Sequence, residues 1–313
     1  MFSFLARRLA STIPVLLVVG VFIFLLLRLS PGDPATVLAG DQATPEQIEA
    51  VRRNLGLDQS LLIQFFGWLK RVLAGDLGQS LFSNIAVMDL VLQRLGPTIA
   101  LALATIALAV LIGVPLGVLA AWKVGRWPDQ LVMAIASAGF SIPLFIFAFG
   151  LIWLFGLKLR WLPVQGYSPP SAGVGPFLAS LVLPAVALSV VYLALIARIT
   201  RATIVELLND DFIRTAEAKG ASHSRIMIKH ALRNAAVPIL TVVGVSFSML
   251  LGGVVVTENI FNIPGVGRLV ADAILKRDYP IVQGVVLLFA GFYVVLNLVI
   301  DLCYAALDPR VRL

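Results

Sequence analysis

The side chains able to do acid–base or metal chemistry are few in this chain of 313 residues. His223 and His230 are its two histidines, and Cys303 is its one cysteine. The two imidazoles are seven residues apart and could share a helix face, but no third ligand stands at a spacing typical of zinc sites. We therefore expect both histidines to be exposed or to lie at an interface, and the single cysteine predicts no internal disulfide.

A serine within an apolar run, Ser141 in the stretch GFSIP, raises the question of an intramembrane hydrolase. A nucleophilic serine needs an adjacent base, and neither histidine lies in an apolar run. Pro143 lacks a backbone N–H, so Ser141 and Pro143 together predict a bent helix rather than a catalytic site. The chain also lacks the phosphate-binding G-x-x-x-x-G-K-[ST] and the metalloprotease H-E-x-x-H motifs, so the sequence predicts no enzyme activity of its own and no cofactor.

The elements that position these residues are membrane-spanning. Hydrophobic residues make up 59% of the chain and charged residues 13%, and the mean hydropathy is +0.97. Soluble domains are about 25% charged, and about 20 apolar residues span a bilayer. The sequence predicts an all-α integral membrane protein with six transmembrane helices, of which we expect the first to be a retained anchor. The six runs are residues 9–27, 95–122, 130–157, 177–197, 234–257 and 279–300.

The basic residues predict the orientation. Seven of them lie between residues 198 and 233, and Arg7, Arg8, Lys123 and Arg126 fall on the same side of a six-span chain. Because Lys and Arg accumulate in cytoplasmic loops, both termini and the 198–235 loop are predicted to be cytoplasmic. The net charge of +7 is thereby explained without nucleic acid.

The segment after the first span is predicted to hold two extracytoplasmic helices. Thr44, Pro45 and Gln47 form a capping-box pattern, and Gly56 marks the end of that helix. Asp58 is predicted to cap the second helix, whose apolar stripe either packs on the bundle or lies on the membrane surface. We accordingly divide the chain into residues 1–94, the first span with this loop, and residues 95–313, a five-helix core. The stripe comprises Leu61, Leu62, Phe65, Phe66, Leu69, Val72 and Leu73.

The 198–235 loop has its own predicted structure. Residues 202–219 contain no Gly or Pro and are predicted to be helical throughout; Gly220 forms a corner, and Ser222 caps a second helix. Phe212, Ile213 and Ala216 give the first helix an apolar knob. Two interpretations stay open on composition alone: a solvated basic loop near anionic lipid, or a docking helix for a cytoplasmic partner.

Several motifs, in this order, resemble one family. SPGDP stands at residues 30–34, GDLGQS at 75–80, R-T-A-x-A-K-G at 214–220 with H-A-L-R-N-A-x-x-P at 230–238, TENIFNIPGVGRL at 257–269, KRDYPIVQG at 276–284 and LDPRVR at 307–312. Together they resemble the permease subunits of ATP-binding-cassette (ABC) importers, in the dipeptide, oligopeptide and nickel branch. Arg214 stands where the usual loop motif has glutamate, so contacts of the glutamate form do not transfer to it.

The resemblance implies an ABC importer permease fold in a bacterial inner membrane and a coupling helix that docks onto an ATPase subunit. It implies a sister permease, two ATPase subunits and a binding protein as partners, besides membrane lipid. The residues assigned to this ATPase-coupling loop are Phe212, Arg214, Thr215, Ala216, Glu217, Lys219 and Gly220.

The cargo implied is a short peptide: a dipeptide, an oligopeptide or a glutathione-like molecule. An opine, a nickel chelate or an oligosaccharide stays open as an alternative. An ion-driven transporter needs an ionisable residue at mid-membrane, and only Asp301, near the end of a span, is available for that role. Polar residues predicted to line the passage are Ser141, Ser246, Ser248 and Thr257.

Overall fold

The computed structural model describes residues 2–29, 34–39, 43–54 and 56–307, and the part of the chain it describes is mainly α-helical. The all-α prediction is confirmed. Residues 30–33 of the SPGDP motif and the terminal residues 308–313 lie outside the described residues. The α-helices are α1 (Phe2–Leu29), α2 (Pro34–Ala39), α3 (Pro45–Asn54), α4 (Leu61–Leu73), α5 (Val87–Trp122), α6 (Trp127–Ser141), α7 (Leu144–Leu151), α8 (Val174–Leu207), α9 (Asp211–Ala218), α10 (His223–Arg225), α11 (Leu232–Asn234), α12 (Ala236–Ile260), α13 (Val266–Lys276) and α14 (Tyr279–Leu307).

Four of these helices are long and apolar enough to cross a bilayer by themselves: α5, α8, α12 and α14. Helix α6 together with α7 and the π-helical segment Ile152–Lys158 is a fifth candidate span, bent by 104°. Helix α1 is apolar over Thr12–Leu25, the part of it whose side chains the structure describes. The count of six spans and the side on which the termini lie therefore stay predictions.

The bend between α6 and α7 lies at Pro143, as the sequence predicts. The last regular bond of α6 runs from the Ile142 N–H to the carbonyl of Ala138, 3.1 Å away. The hydroxyl of Ser141 donates to the carbonyl of Ser137 at 3.0 Å. Proline has no N–H to continue this ladder, so α7 restarts in a new direction.

Two compact units make up the chain, and the first comprises Met1–Arg94 with Leu269–Val294. Its capping box is present, because the Thr44 N–H donates to the Gln47 side chain at 2.9 Å and the Gln47 N–H to the Thr44 hydroxyl at 3.4 Å. Hydrogen bonds from its own backbone N–H and from Thr44 hold the pKa of Glu46 below its usual range. Gly56 has a φ of +65° and ends α3, as predicted.

Helix α4 begins later than the sequence predicts. Ser60, not Asp58, occupies the position before its first turn, so the predicted cap is wrong by two residues. The Phe65 and Trp68 rings pack on Phe24 of α1, with centroids 5.2 and 5.8 Å away. Part of the predicted stripe therefore packs on the first helix, while Leu62 and Phe66 stay exposed.

Two of the sequence motifs meet in this first unit. The hydroxyl of Ser80, from GDLGQS, donates to Oδ2 of Asp278, from KRDYPIVQG, at 2.5 Å. The Leu81 N–H donates to the other carboxylate oxygen at 3.2 Å. Asp278 is buried, so these donors offset the cost of removing its carboxylate from water.

The second unit comprises Leu95–Arg268 with Val295–Leu313 and is organised around α8. Three helices approach α8 through glycines. A Cβ at Gly117 of α5 would lie 2.6 Å from the Ala197 carbonyl oxygen, one at Gly139 of α6 would lie 2.9 Å from Val190, and one at Gly253 of α12 would lie 2.7 Å from Leu188. Small residues at such crossings let membrane helices pack closely, which holds α5, α6 and α12 against α8.

Candidate functional site

The basic loop of the second unit contains a short helix held between two turns. Helix α8 ends at Leu207 and α9 runs from Asp211 to Ala218, so the prediction of one helix over residues 202–219 is wrong. Asp210 has extended backbone angles and its carbonyl accepts the N–H groups of Ile213 and Arg214. Asn and Asp compete with helical hydrogen bonding, which explains the break that the absence of Gly and Pro did not indicate.

The predicted corner at Gly220 is present. Its φ is +77°, in the left-handed region that glycine adopts at little cost. The Gly220 N–H donates to the Glu217 carbonyl at 2.8 Å, and the Ala221 N–H donates to the Ala216 carbonyl at 3.1 Å. These two bonds form a Schellman motif, which ends α9 and fixes the direction in which the chain leaves it.

One face of α9 is open to solvent and the other is anchored. Ile213 is only 1% exposed and Ala216 is half-buried. The ion pair that joins Arg214 to Asp211 on α9, 3.4 Å long, is itself exposed. Of the residues assigned to the coupling loop, those that are exposed are Phe212, Arg214, Thr215, Glu217, Lys219 and Gly220.

Behind α9 the chain returns to the membrane through a continuous helical segment. Ser222 occupies the predicted position before α10, but its side chain makes no capping hydrogen bond. The π-helical turn Ile226–Ala231 leads through α11 into α12. Met227 and Ala231 are buried in a cluster with Ile204 of α8 and Ala121 of α5. Helix α9 also contacts the π-helical turn, so packed side chains connect α9 with α5, α8 and α12.

The two histidines lie within this segment, His223 at the start of α10 and His230 in the π-helical turn. His223 is exposed and its ring centroid lies 5.8 Å from that of Trp122, at the end of α5. His230 is half-buried in the π-helical turn. Both occupy the periphery of the loop, consistent with a role in packing.

The four polar residues predicted to line the translocation passage differ in their solvent exposure. Ser141 is exposed at the bend after α6, and Ser248 is half-buried and donates to the Gly244 carbonyl at 3.1 Å. Thr257 is buried and donates to the Gly253 carbonyl at 3.0 Å. Ser246 is also buried, and its hydroxyl has no hydrogen-bond partner in the described part of the chain. Their role in a passage stays a prediction.

Two family models of known transport proteins match this chain. The family model "Binding-protein-dependent transport system inner membrane component" matches residues 113–313, and the model of the N-terminal part of such components matches residues 1–102. The chain belongs to this family. It is thus a permease subunit of an ABC importer and is not an enzyme; separate ATPase subunits hydrolyse ATP.

Two curated relatives match this permease over nearly its whole length. The "Probable peptide ABC transporter permease protein y4tP" of Sinorhizobium fredii is 51% identical over 99% of this chain and 99% of its own. The "Glutathione transport system permease protein GsiC" of Escherichia coli K12 is 41% identical over 100% of this chain and 99% of its own. Both matches support the prediction of a multi-pass inner-membrane permease.

A solved structure shares the fold. The MetNI methionine ABC transporter, in an inward-facing conformation, contains a chain that matches with a TM-score of 0.59 and 19% identity. The match covers 71% of this permease and 97% of that chain. The predicted ABC importer permease fold is thereby confirmed, and the family implies ATPase subunits and a binding protein as partners.

Sequence reasoning missed a buried carboxyl group in this permease. Glu258, in the TENIFNIPGVGRL motif, has no exposed surface. Its Oε1 accepts the Thr98 hydroxyl at 2.6 Å, and its Oε2 accepts the Arg268 N–H at 2.9 Å. A Cβ at Gly265 would lie 2.1 Å from Oε1. The absence of a side chain at Gly265 therefore leaves the space that the Glu258 carboxyl group occupies.

An ion pair within the permease was also missed. Arg201 of α8 donates from Nε and Nη2 to the two carboxylate oxygens of Asp129 of α6, the second bond being 2.7 Å long. The Gly125 N–H adds a third bond, at 2.9 Å. The Asp129 side chain is 5% exposed and the Arg201 side chain 27%. The signal available in the sequence was Asp129, an acidic residue at the start of a predicted span. The sequence does not indicate which basic residue would pair with it.

Proposed function

We propose that this permease forms one half of a translocation pathway for short peptides, delivered by a binding protein and released to the cytoplasm. The names of its relatives support a cargo of the peptide class, which includes dipeptides, oligopeptides and glutathione. The short segment between the third and fourth spans, about residues 158–176, lacks the long insertion that some dipeptide permeases carry, which favours a glutathione-type, other small-peptide or opine-like cargo. The second half of the pathway would be a sister permease in a heterodimer, surrounded by membrane lipid.

The observation that carries the coupling mechanism is the division of α9 into an exposed and an anchored face. Ile213 fixes the helix to the protein, while Phe212, Arg214 and Glu217 are available to a partner. A partner surface with an apolar cleft and mixed charges matches this face. We assign α9 as the coupling helix that an ATPase subunit binds, with Gly220 setting its exit angle.

The transmission step follows from the packing behind α9. Closure of two ATPase subunits would move the two coupling helices, and the cluster around Met227 and Ile204 would pass that motion to α8 and α12. Packed interiors transmit displacement because they have low compressibility. The open bend at Ser141 and the half-buried Ser248 lie on spans that this motion would reorient.

Binding by the ATPase subunits is tested by co-purification of the assembled transporter. Phe212→Asp places a charge on the apolar part of the exposed face and is expected to remove the ATPase subunits from the complex. Ser224→Asp, exposed in the same loop beyond Gly220, is the matched control and should keep them. Equal ATPase content in both variants would contradict the assignment of α9.

The cargo is tested separately by uptake into vesicles holding the complete transporter. Radiolabelled glutathione, a dipeptide, Ni²⁺ and an oligosaccharide are compared at equal concentration. The proposal expects uptake of at least one peptide and competition among peptides. Uptake of only the oligosaccharide or the metal ion would overturn the cargo class without affecting the coupling assignment.

A further inference from the structure

An apolar groove lies between α5 and α6 in the second unit. Leu116 and Leu119 line one wall, Trp127 and Leu131 line the other, and Leu193 and Ala197 of α8 lie between them. The cavity measures about 220 Å³ and its lining residues are all apolar. Trp127 is 74% exposed and Leu131 is 50% exposed, so the groove opens away from the protein interior.

Both walls of the groove contact α8. Helix α5 approaches α8 closely at Gly117, and α6 approaches it at Gly139. The pair between Asp129 and Arg201 fixes the start of α6 to the same helix. Both walls therefore pack on α8, and the groove lies between them.

One end of the groove is basic. Helices α5 and α6 are joined by residues 123–126, a turn with Lys123, Arg126 and, at Gly125, a φ of +76°. Arg198 directly follows Ala197, which lines the groove. Arg126 and Arg198 are both exposed, and neither forms an ion pair with any residue that the structure describes. The exposed ring of Trp127 lies at the same end, in the setting where membrane proteins place interfacial tryptophans.

We propose that this groove binds one anionic phospholipid, with an acyl chain between α5 and α6 and the phosphate group at Arg126 and Arg198. Arginine presents a planar array of donors that matches phosphate oxygens, and the apolar walls match a hydrocarbon chain. The predicted topology puts the basic end on the cytoplasmic side, where the leaflet is anionic.

The test uses the purified full-length chain in detergent, delipidated and then supplied with phosphatidylglycerol or phosphatidylcholine. Native mass spectrometry counts the lipids retained, and thermal denaturation measures the stabilisation. The wild type is expected to retain one phosphatidylglycerol and to gain melting temperature, with a smaller effect from phosphatidylcholine. Replacing Arg126 and Arg198 together by glutamine should weaken phosphatidylglycerol binding about tenfold, because charge-assisted hydrogen bonds to phosphate are lost.

The apolar part of the site is tested by filling it. Ala136→Phe adds a ring to the groove lining and should block both lipids, whereas Ala138→Phe, an exposed position on the same helix, should not. If Ala136→Phe does not fold, Leu131→Ser, at an exposed wall residue, should still weaken binding. Arg225→Gln with Lys229→Gln, exposed basic residues in the coupling loop, controls for general charge.

Two outcomes would overturn the proposal. Retention of phosphatidylglycerol that is equal in wild type, the arginine variant and the groove variants would show that the lipid binds elsewhere. Unchanged lipid binding in Ala136→Phe, combined with loss of the sister permease when the assembled transporter carrying this variant is purified, would show that the groove is a subunit contact. Neither readout depends on transport, so failure here is separable from failure of the proposed cargo or coupling.

Discussion

The hydroxyl of Thr98 lies 2.6 Å from Oε1 of Glu258, 160 residues further along the chain, and also accepts the Val266 N–H at 2.8 Å. One side chain of α5 thus links the end of α12 to the first residue of α13. All three groups are buried. The hydrogen bonds explain why a glycine-rich segment, which has few side chains of its own to pack, keeps a defined path.

Thr98→Val keeps the side-chain shape but removes both hydrogen bonds. We expect a loss of about 2–4 kcal/mol in the free energy of unfolding, since a buried carboxyl group and a buried N–H each lose a partner. Thr257→Val is the control, because the buried Thr257 hydroxyl donates to the Gly253 carbonyl within its own helix. Thermal denaturation in detergent compares the two, and an equal loss would show that the link to Glu258 adds nothing.

Arg201→Gln leaves the Asp129 carboxylate buried without its cation. Breaking a buried pair from one side costs about 3–5 kcal/mol, and the partial exposure of Arg201 places our expectation near the lower end. Arg201→Gln combined with Asp129→Asn should lose less than the sum of the single variants. The exposed pair of Arg214 and Asp211 is the control, and its removal should cost about 0–1 kcal/mol. Strict additivity at Asp129 and Arg201 would refute the coupling between them.

Gly220→Val should separate ATP hydrolysis from transport. Valine in the left-handed region costs about 1–3 kcal/mol, so the corner would relax and α9 would leave the protein at a different angle. Gly220→Asn should be milder, because asparagine tolerates this region. Gly150→Val, at an open helical position, controls for added bulk. Uptake per ATP hydrolysed is the measurement, and a wild-type ratio in Gly220→Val would remove Gly220 from the mechanism.

Cysteines at positions 246 and 248 should react differently with a water-soluble thiol reagent. Ser248 is half-buried whereas Ser246 has no exposed surface, so we expect labelling at 248 in the conformation described here. Labelling at 246 is expected only after a change of state driven by ATP. Absence of labelling at 248 in every state would place that face of α12 against lipid or protein.

Local signals account for what the sequence predicted well. The corner at Gly220, the capping box at Thr44 and the bend at Pro143 each depend on residues within one or two helical turns. The break at Asp210 was missed because the prediction considered only Gly and Pro as helix breakers. Asn209, Asp210 and Asp211 disfavour a helix less strongly, by competing for its backbone hydrogen bonds. The links from Arg201 to Asp129 and from Thr98 to Glu258 could not be predicted, since an isolated acid in an apolar run does not name its partner.

The most direct test of the central claim is uptake by proteoliposomes in which ATP is supplied on one side only. We predict that the complete transporter, with sister permease, ATPase subunits and binding protein, accumulates a short peptide only when ATP is on the side of the 198–235 loop. The permease alone should show neither ATP hydrolysis nor uptake when an ion gradient is imposed. Gradient-driven uptake by the isolated chain, or uptake that needs no ATP on the loop side, would contradict the account.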